Sequence, residues 1–237
     1  MSARELLVGL GLVVGLAGAC RAPQAGPQAP GTGERPLQVA FLVVDGVYNS
    51  ELFAPLDVFQ HTIFHTEPGM QVWLVGRTRR PVTTFEGQVV AVDHDLSSAP
   101  EIDVLVVPSA EHSMDSDLED AALLDWVAER GGRARHVVSL CDGAFVLAAA
   151  GLLEGRTCTT FPGDVQAFRE RFPALDVHEG VLYVHDGPTI TSAGGAQSYA
   201  PALHLVEQLY GSEVARGVGR GLVIDWDASR VPHLVVD

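Results

Sequence analysis

The chain has 237 residues, 47% hydrophobic and only 19% charged, which suits one substantial α/β-sized core and argues against wholesale disorder. Its formal net charge is -15, from 30 acidic and 15 basic residues, and every basic residue is Arg. Without Lys there is no lysine Schiff base and no P-loop phosphate site. An acidic chain without a basic run also has little with which to displace counterions, so no nucleic-acid partner is expected.

Arg4 precedes an apolar run from Leu6 to Leu16, too short to span a bilayer, followed by the small residues Ala17, Gly18 and Ala19 and then Cys20. This order predicts a signal peptide over 1–20, with Cys20 as a lipidation site of the bacterial lipoprotein type, although Leu16 stands one position further from Cys20 than is usual. The expected location is outside the cytoplasm, lipid-anchored and facing the periplasm, or secreted. Residues 21–36 are Pro-, Gly- and Gln-rich and read as a flexible tether, so the domain is expected over 37–237.

Within the domain, LQVAFLVV (37–44) is a nearly continuous apolar run, the pattern of a strand buried on both faces. Residues 51–64 place Leu52, Leu56, Phe59 and Ile63 at helical spacing. MQVWLVG from Met70 is a second strand, PVTTF and QVVAV form a hairpin through Glu86-Gly87, and IDVLVVP ends a further strand at Pro108. An acidic loop and a helix over about 118–130 lead into HVVSL, Cys141 and an Ala/Leu-rich helix to Ala150. A helix near 164–172, a hairpin over 181–191 and a helix over about 197–210 follow. The run Gly217-Val218-Gly219-Arg220-Gly221 reads as a turn that ends a helix. Strands alternating with helices at this spacing predict an α/β fold with a doubly wound, mostly parallel sheet and helices on both faces. Function then belongs beyond the C-terminal ends of the strands.

Three segments end at that edge: VVDG, VVPSAEHS and SLCDGAF. In the last, a strand turns directly into a helix at Cys141, which sets the sulfur near unpaired first-turn N–H groups. There the positive dipole end favours thiolate and an oxyanion, and Gly143 permits the tight turn. An inert buried Cys is the bland alternative on spacing alone.

SLCDGAFVLAAAGLLEGRTCTTF resembles the nucleophile-elbow region of the ThiJ/PfpI superfamily, with its class I glutamine amidotransferase-like, flavodoxin-like fold. FLVVDGVYNSELFAPLDVFQ and TITSAGGAQSYAPALHLVEQLYG extend the resemblance over most of the chain from Leu37, in the family's order. The resemblance implies that Cys141 is the reactive cysteine and that Glu51 is the acidic residue beside its sulfur, with one of the two carrying the proton. It further implies that the Asp142 N–H is one oxyanion donor and that the Ser109–Ala110 turn supplies another. Homodimerisation and a small-molecule substrate or ligand follow from the family as well, and no cofactor does.

The departures narrow the chemistry. Phe161 stands where many relatives carry the His of Thr-Thr-His, and Asp142 stands where the protease branch has a His after Cys, so peptidase activity is not expected. Ser109–Ala110 replaces the usual Gly-Gly of the oxyanion loop. The isonitrile hydratase branch also works with a Cys and an acidic residue and no His, which makes a cysteine-dependent hydratase or hydrolase of a small electrophile the leading expectation. A redox or reactive-carbonyl responder using Cys141, and a ligand-sensing domain without turnover, are the alternatives. His112 is expected near the mouth of the site, as a polarising group or proton shuttle. His61 and His65 lie at i, i+4 with Glu67 nearby, but without an HExxH glutamate or third ligand they read as packing, and Cys158 is not expected to pair with Cys141.

Overall fold

The computed structural model describes residues 35–236; the expected signal peptide, Cys20 and nearly all of the tether lie outside them. β1 (Gln38–Val43), β2 (Gln71–Gly76), β5 (His94–Asp95), β6 (Val104–Val107), β7 (His136–Leu140), β10 (Tyr183–Asp186), β11 (Thr189–Ser192) and β12 (His233–Val236) form one sheet in the order β12-β10-β11-β7-β6-β1-β2-β5. All neighbours in it are parallel except the β10–β11 hairpin. Two short pairs stand apart: the antiparallel β3 (Val82–Thr83) and β4 (Val89–Val90), and the parallel β8 (Thr157–Cys158) and β9 (Asp176–Val177).

The unbroken apolar run of β1 follows from its central place. Val39, Phe41 and Val43 enter one core, while Ala40 and Leu42 enter the core on the opposite face. α1 (Asn49–His61), α5 (Tyr199–Tyr210) and α6 (Ser212–Gly221) cover the first face. α2 (Ala121–Arg133), α3 (Gly143–Ala149) and α4 (Val165–Arg171) cover the second. The doubly wound, mostly parallel sheet with helices on both faces is the architecture expected from the sequence.

Two local expectations change, and a third is extended. The helix expected over 51–64 begins two residues earlier and ends at His61, the last turn tightening to a 3-10 turn over Thr62–Phe64. The helix expected from Leu118 is a 3-10 turn over Ser116–Glu119, followed by α2, which Asp120 caps by accepting from Leu123 N–H. The glycine run 217–221 forms the last turn of α6, which ends at Gly221, and it also serves packing. A Cβ on Gly217 would stand 2.7 Å from the His65 ring, and one on Gly219 2.8 Å from Ile224 O, so these two glycines allow close approach to the helix end. His65 is therefore packed against α6, and His61 Nδ1 is 2.8 Å from Asp57 O.

A histidine cluster that no motif announced lies where β7, β10 and β12 meet α5. His185 Nε2–H donates to Gly187 O (3.1 Å), which leaves His185 Nδ1 to accept from His204 Nε2–H (2.9 Å). The Tyr183 ring packs against both His204 and His233, 4.7 and 4.9 Å from their centroids. Burial, reinforced by neighbouring imidazoles, drops His204 to about 3 and His136 to about 4 from an ordinary 6.5. Both are neutral in the native state and charged in the unfolded chain at mild acid. Stability is therefore full above pH 6.5 and falls as the pH drops below it, by about 1.4 kcal/mol per pH unit for each histidine. His204→Gln, which keeps a donor for His185 but cannot charge, is expected to flatten the fall in urea midpoint between pH 7.5 and 5. An unchanged slope would mean that the cluster does not govern acid stability.

Candidate active site

The site is assembled at the C-terminal edge of the sheet from three segments. The first is the end of β7, where Cys141 has φ 53°, a left-handed conformation that a non-glycine residue adopts only when its surroundings impose it. The Cys141 N–H donates to Ser192 O at the end of β11, and α3 starts two residues later. Two glycines make the turn possible. A Cβ on Gly143 would lie 2.1 Å from Val107 O, and one on Gly194 would lie 2.4 Å from Cys141 Cβ. The elbow is thus wedged between the ends of β6 and β11, and only hydrogen fits at either contact.

The second segment is α1. Glu51, 3% exposed, is held by two backbone donors from different loops: Ser109 N–H to Oε2 (3.0 Å) and Gly195 N–H to Oε1 (3.1 Å). This explains the late Ala193-Gly194-Gly195 run, because Gly194 gives way to Cys141 while Gly195 clamps Glu51. Burial pushes the Glu51 carboxyl up and the two amides pull it back, with Cys141 as a hydrogen-bonding neighbour. The third segment is β8 and the turn after it. Thr160 Oγ1 lies 3.1 Å from both Cys141 O and Asp142 Oδ1.

Asp142 completes the surroundings of the sulfur, its Oδ2 accepting from Sγ at 3.7 Å. Burial, and then the charge of Asp164, push this carboxyl up to about 6. The Cys141 thiol is itself pushed well up, first by burial and then by the charges of Glu51 and Asp142. That corrects the expectation of a favoured thiolate: α3 has only seven residues, and the Asp142 N–H at its start is outweighed by desolvation and two carboxyls.

The Ser109–Ala110 turn also differs from expectation. Ser109 N–H is committed to Glu51, and Ala110 N–H to Ser113 Oγ (2.9 Å), so neither amide is free to receive an oxyanion. The turn positions Glu51 instead. His112 is separated from this constellation. It is half exposed, pairs with Asp115 at 3.2 Å, and lines a cavity of about 370 Å³ with Asp45, Arg77, Arg80 and Asp117. Phe161 is 43% exposed and lies over Gly163. Cys158 is a free thiol with Sγ 3.7 Å from Asp176 O, and burial raises it to about 12. Cys141 is also free.

Tyr48 was not foreseen. It precedes α1, its ring 4.7 Å from that of Phe85, and its backbone is fixed by donation from Tyr48 N–H to Ser109 O (3.1 Å). Burial and then the charge of Cys141 raise its phenol, followed by Glu51 and Asp142, so the hydroxyl stays protonated. A lone loop Tyr carries no periodic signal, and although it lies within the FLVVDGVYNSELFAPLDVFQ segment of the resemblance, no role was implied for it. Among the described residues no group of three or more His, Cys, Asp and Glu side chains is arranged to hold a metal ion.

The model of the DJ-1/PfpI family matches residues 37–208. Isonitrile hydratase of Pseudomonas putida is 32% identical over 183 residues, 76% of this chain and 75% of that protein. The HTH-type transcriptional regulator CdhR of Pseudomonas aeruginosa is 31% identical over 153 residues, 65% of this chain, which spans only 45% of that protein. The crystal structure of a ThiJ/PfpI family protein from Pseudomonas syringae superimposes with a TM-score of 0.71 at 26% identity, covering 89% of this chain and 84% of that one.

The two oxygens of Glu51 each accept an amide, so Glu51→Gln sets an NH2 group against a backbone N–H. A loss of about 1–3 kcal/mol is expected by chemical denaturation; no loss would mean that the clamp is absent. Asp142→Asn removes a negative charge from beside the sulfur. It is expected to shift the pH profile of Cys141 alkylation toward lower pH by about one unit, and a shift the other way would overturn the assignment.

Proposed function

The chain belongs to the DJ-1/PfpI family, and from that premise we propose that it is a cysteine-dependent hydratase or hydrolase of a small electrophile, with Cys141 as nucleophile. The observation that carries the reading is the sulfur's placement on a strained elbow between two carboxyls in unlike surroundings. Glu51 is buried and clamped by two amides, while Asp142 titrates near neutral pH and accepts from Sγ. Similarity to a protein named isonitrile hydratase supports hydration of a carbon–nitrogen multiple bond as the reaction class.

In this mechanism Sγ forms a bond to the electrophilic carbon while its proton passes to Asp142 Oδ2. The electrons of the carbon–nitrogen π bond move onto substrate, which takes up a proton from Glu51, with the Tyr48 hydroxyl donating a hydrogen bond to the developing charge. Water then adds to the thioimidate carbon and gives up one proton to Glu51, and Sγ leaves and recovers its proton from Asp142. Both carboxyls end as they began, and the net change is addition of water. With the Ser109 and Ala110 amides committed, Tyr48 and the first-turn amides of α3 are the donors this proposal assigns to the intermediate.

Export and lipid anchoring through residues 1–20 belong to the same proposal, supported by the order of residues there, and so does a homodimer, supported by family membership.

Turnover of a panel of small nitriles, isonitriles and thioesters is the test. Cys141→Ser is expected to abolish it, and Tyr48→Phe to lower kcat about tenfold. Because Asp142 must be ionised to act as base, activity is expected to fall as the pH drops below about 6, and Asp142→Asn to remove that limb along with about a hundredfold of kcat. Turnover that survives Cys141→Ser would end the proposal.

A further inference from the structure

The opposite edge of the sheet carries a second feature that the reaction does not use. At the N-terminal ends of β1, β6 and β7, a cavity of about 270 Å³ is lined by Arg35, Arg130, Arg133 and Arg135 together with Glu101, Ile102 and Asp103. Four of the chain's 15 cationic side chains meet here, in a molecule whose net charge is -15. They arrive from three places: the segment before β1, the last turn of α2, and the residue before β7.

The carboxylates at this edge do not neutralise them. Asp103 is 7% exposed and already saturated. Arg35 grips it with two bonds, Nη1–Oδ2 2.7 Å and Nη2–Oδ1 3.1 Å, and the Gln38 N–H takes Oδ2 at 2.8 Å. Arg133 pairs with Glu129. Arg130 is held over the cavity by the carbonyls of Ala99 and Pro100, at 3.1 and 3.4 Å, which fix its direction without cancelling its charge. Arg135 forms no ion pair or side-chain hydrogen bond among the described residues, while its backbone is fixed by donation to Asp103 O (2.9 Å). Arg130, with its guanidinium held by two carbonyls, and Arg135, with only its backbone fixed, thus line one concave wall without an ion-pair partner among the described residues, and the carboxylates that share the wall are Glu101 and the Arg35-bound Asp103.

We propose that this cavity binds a phosphate group bearing a small polar substituent, such as a glycerol phosphate. Planar guanidinium forks from different segments suit the several oxygens of a phosphate better than a single carboxylate. The volume also leaves room for a substituent. Such a group is available from a phospholipid headgroup or from a free phosphate ester.

The full-length chain is titrated with glycerol 3-phosphate and followed by phosphorus NMR. Binding is expected to weaken with salt and to fall about tenfold in the Arg130→Gln/Arg135→Gln chain. Arg135→Gln alone, which removes no recorded contact, is expected to lose about threefold and keeps the test valid should Arg130→Gln disturb the end of α2. The same chains are then sedimented with phosphatidylglycerol and phosphatidylcholine vesicles. A phosphatidylglycerol preference that vanishes in the double variant supports the site with a headgroup as source. Equal sedimentation on the two vesicles, with glycerol 3-phosphate binding retained, supports it with a free ester as source. Absence of binding in both assays, or binding that Arg135→Gln and the double variant leave intact, overturns the proposal.

Discussion

The candidate site depends on one backbone constraint, the left-handed turn at Cys141. A side chain at positive φ costs on the order of 1–3 kcal/mol, and it persists only where neighbouring structure leaves no alternative. Here the neighbours are the ends of two parallel strands. Gly194, after β11, presses against the Cys141 backbone from one side, and Gly143 lets α3 start against the Val107 carbonyl from the other. The Cys141 N–H is tied to Ser192 O. The sheet therefore fixes the sulfur's position, and helix propensity has little part in it, since α3 is short and follows from the turn.

Once the sulfur is fixed, the electrostatics follow from what surrounds it. Three acidic groups, Glu51, Cys141 and Asp142, share a partly dry space; burial raises all three and the two carboxyls disfavour the thiolate, while the thiol's hydrogen bonds favour the ionised carboxylates. The structure separates the carboxyls by their partners. Glu51 is anchored by two amides on different loops, so its position reports on the Ser109 turn and the Gly195 turn together. Asp142 is anchored by one hydroxyl, that of Thr160, and is the more exposed of the two. A proton entering or leaving this group of three has its easiest path through Asp142.

Much of this was legible in the amino-acid order. Buried strands such as QVAFLV announce themselves because both faces are apolar, and the Cys-x-Gly turn because few contexts need a small residue there. The surroundings of the sulfur were less legible. Whether Ser109 and Ala110 present free amides depends on where a backbone N–H points, which residue identity does not encode. In the event Glu51 and Ser113 claim both. His112 is near the site along the chain but turns toward Asp115 and the Arg77 cavity. The glycines that end α6 were only half legible for a related reason. Glycine marks a close approach as well as a turn, and only the position of His65 and Ile224 distinguishes the two. The histidines of β10, β12 and α5 come together across long sequence separations without any periodic pattern, and Tyr48 gave no signal of its own.

The direction of β1 has a mechanical consequence. The chain enters the domain at Arg35 and runs directly into a central strand, hydrogen-bonded in parallel to β2 on one side and β6 on the other. Tension applied to the segment before Arg35 acts along that strand. It would load both ladders and the Arg35–Asp103 pair in shear, so that many bonds must fail together rather than in succession. The same strand axis separates the entry point from the Cys141 edge by about 20 Å of sheet. A domain tethered by its N-terminus would thus resist being peeled from its own sheet while holding the nucleophile at the end facing away from the attachment.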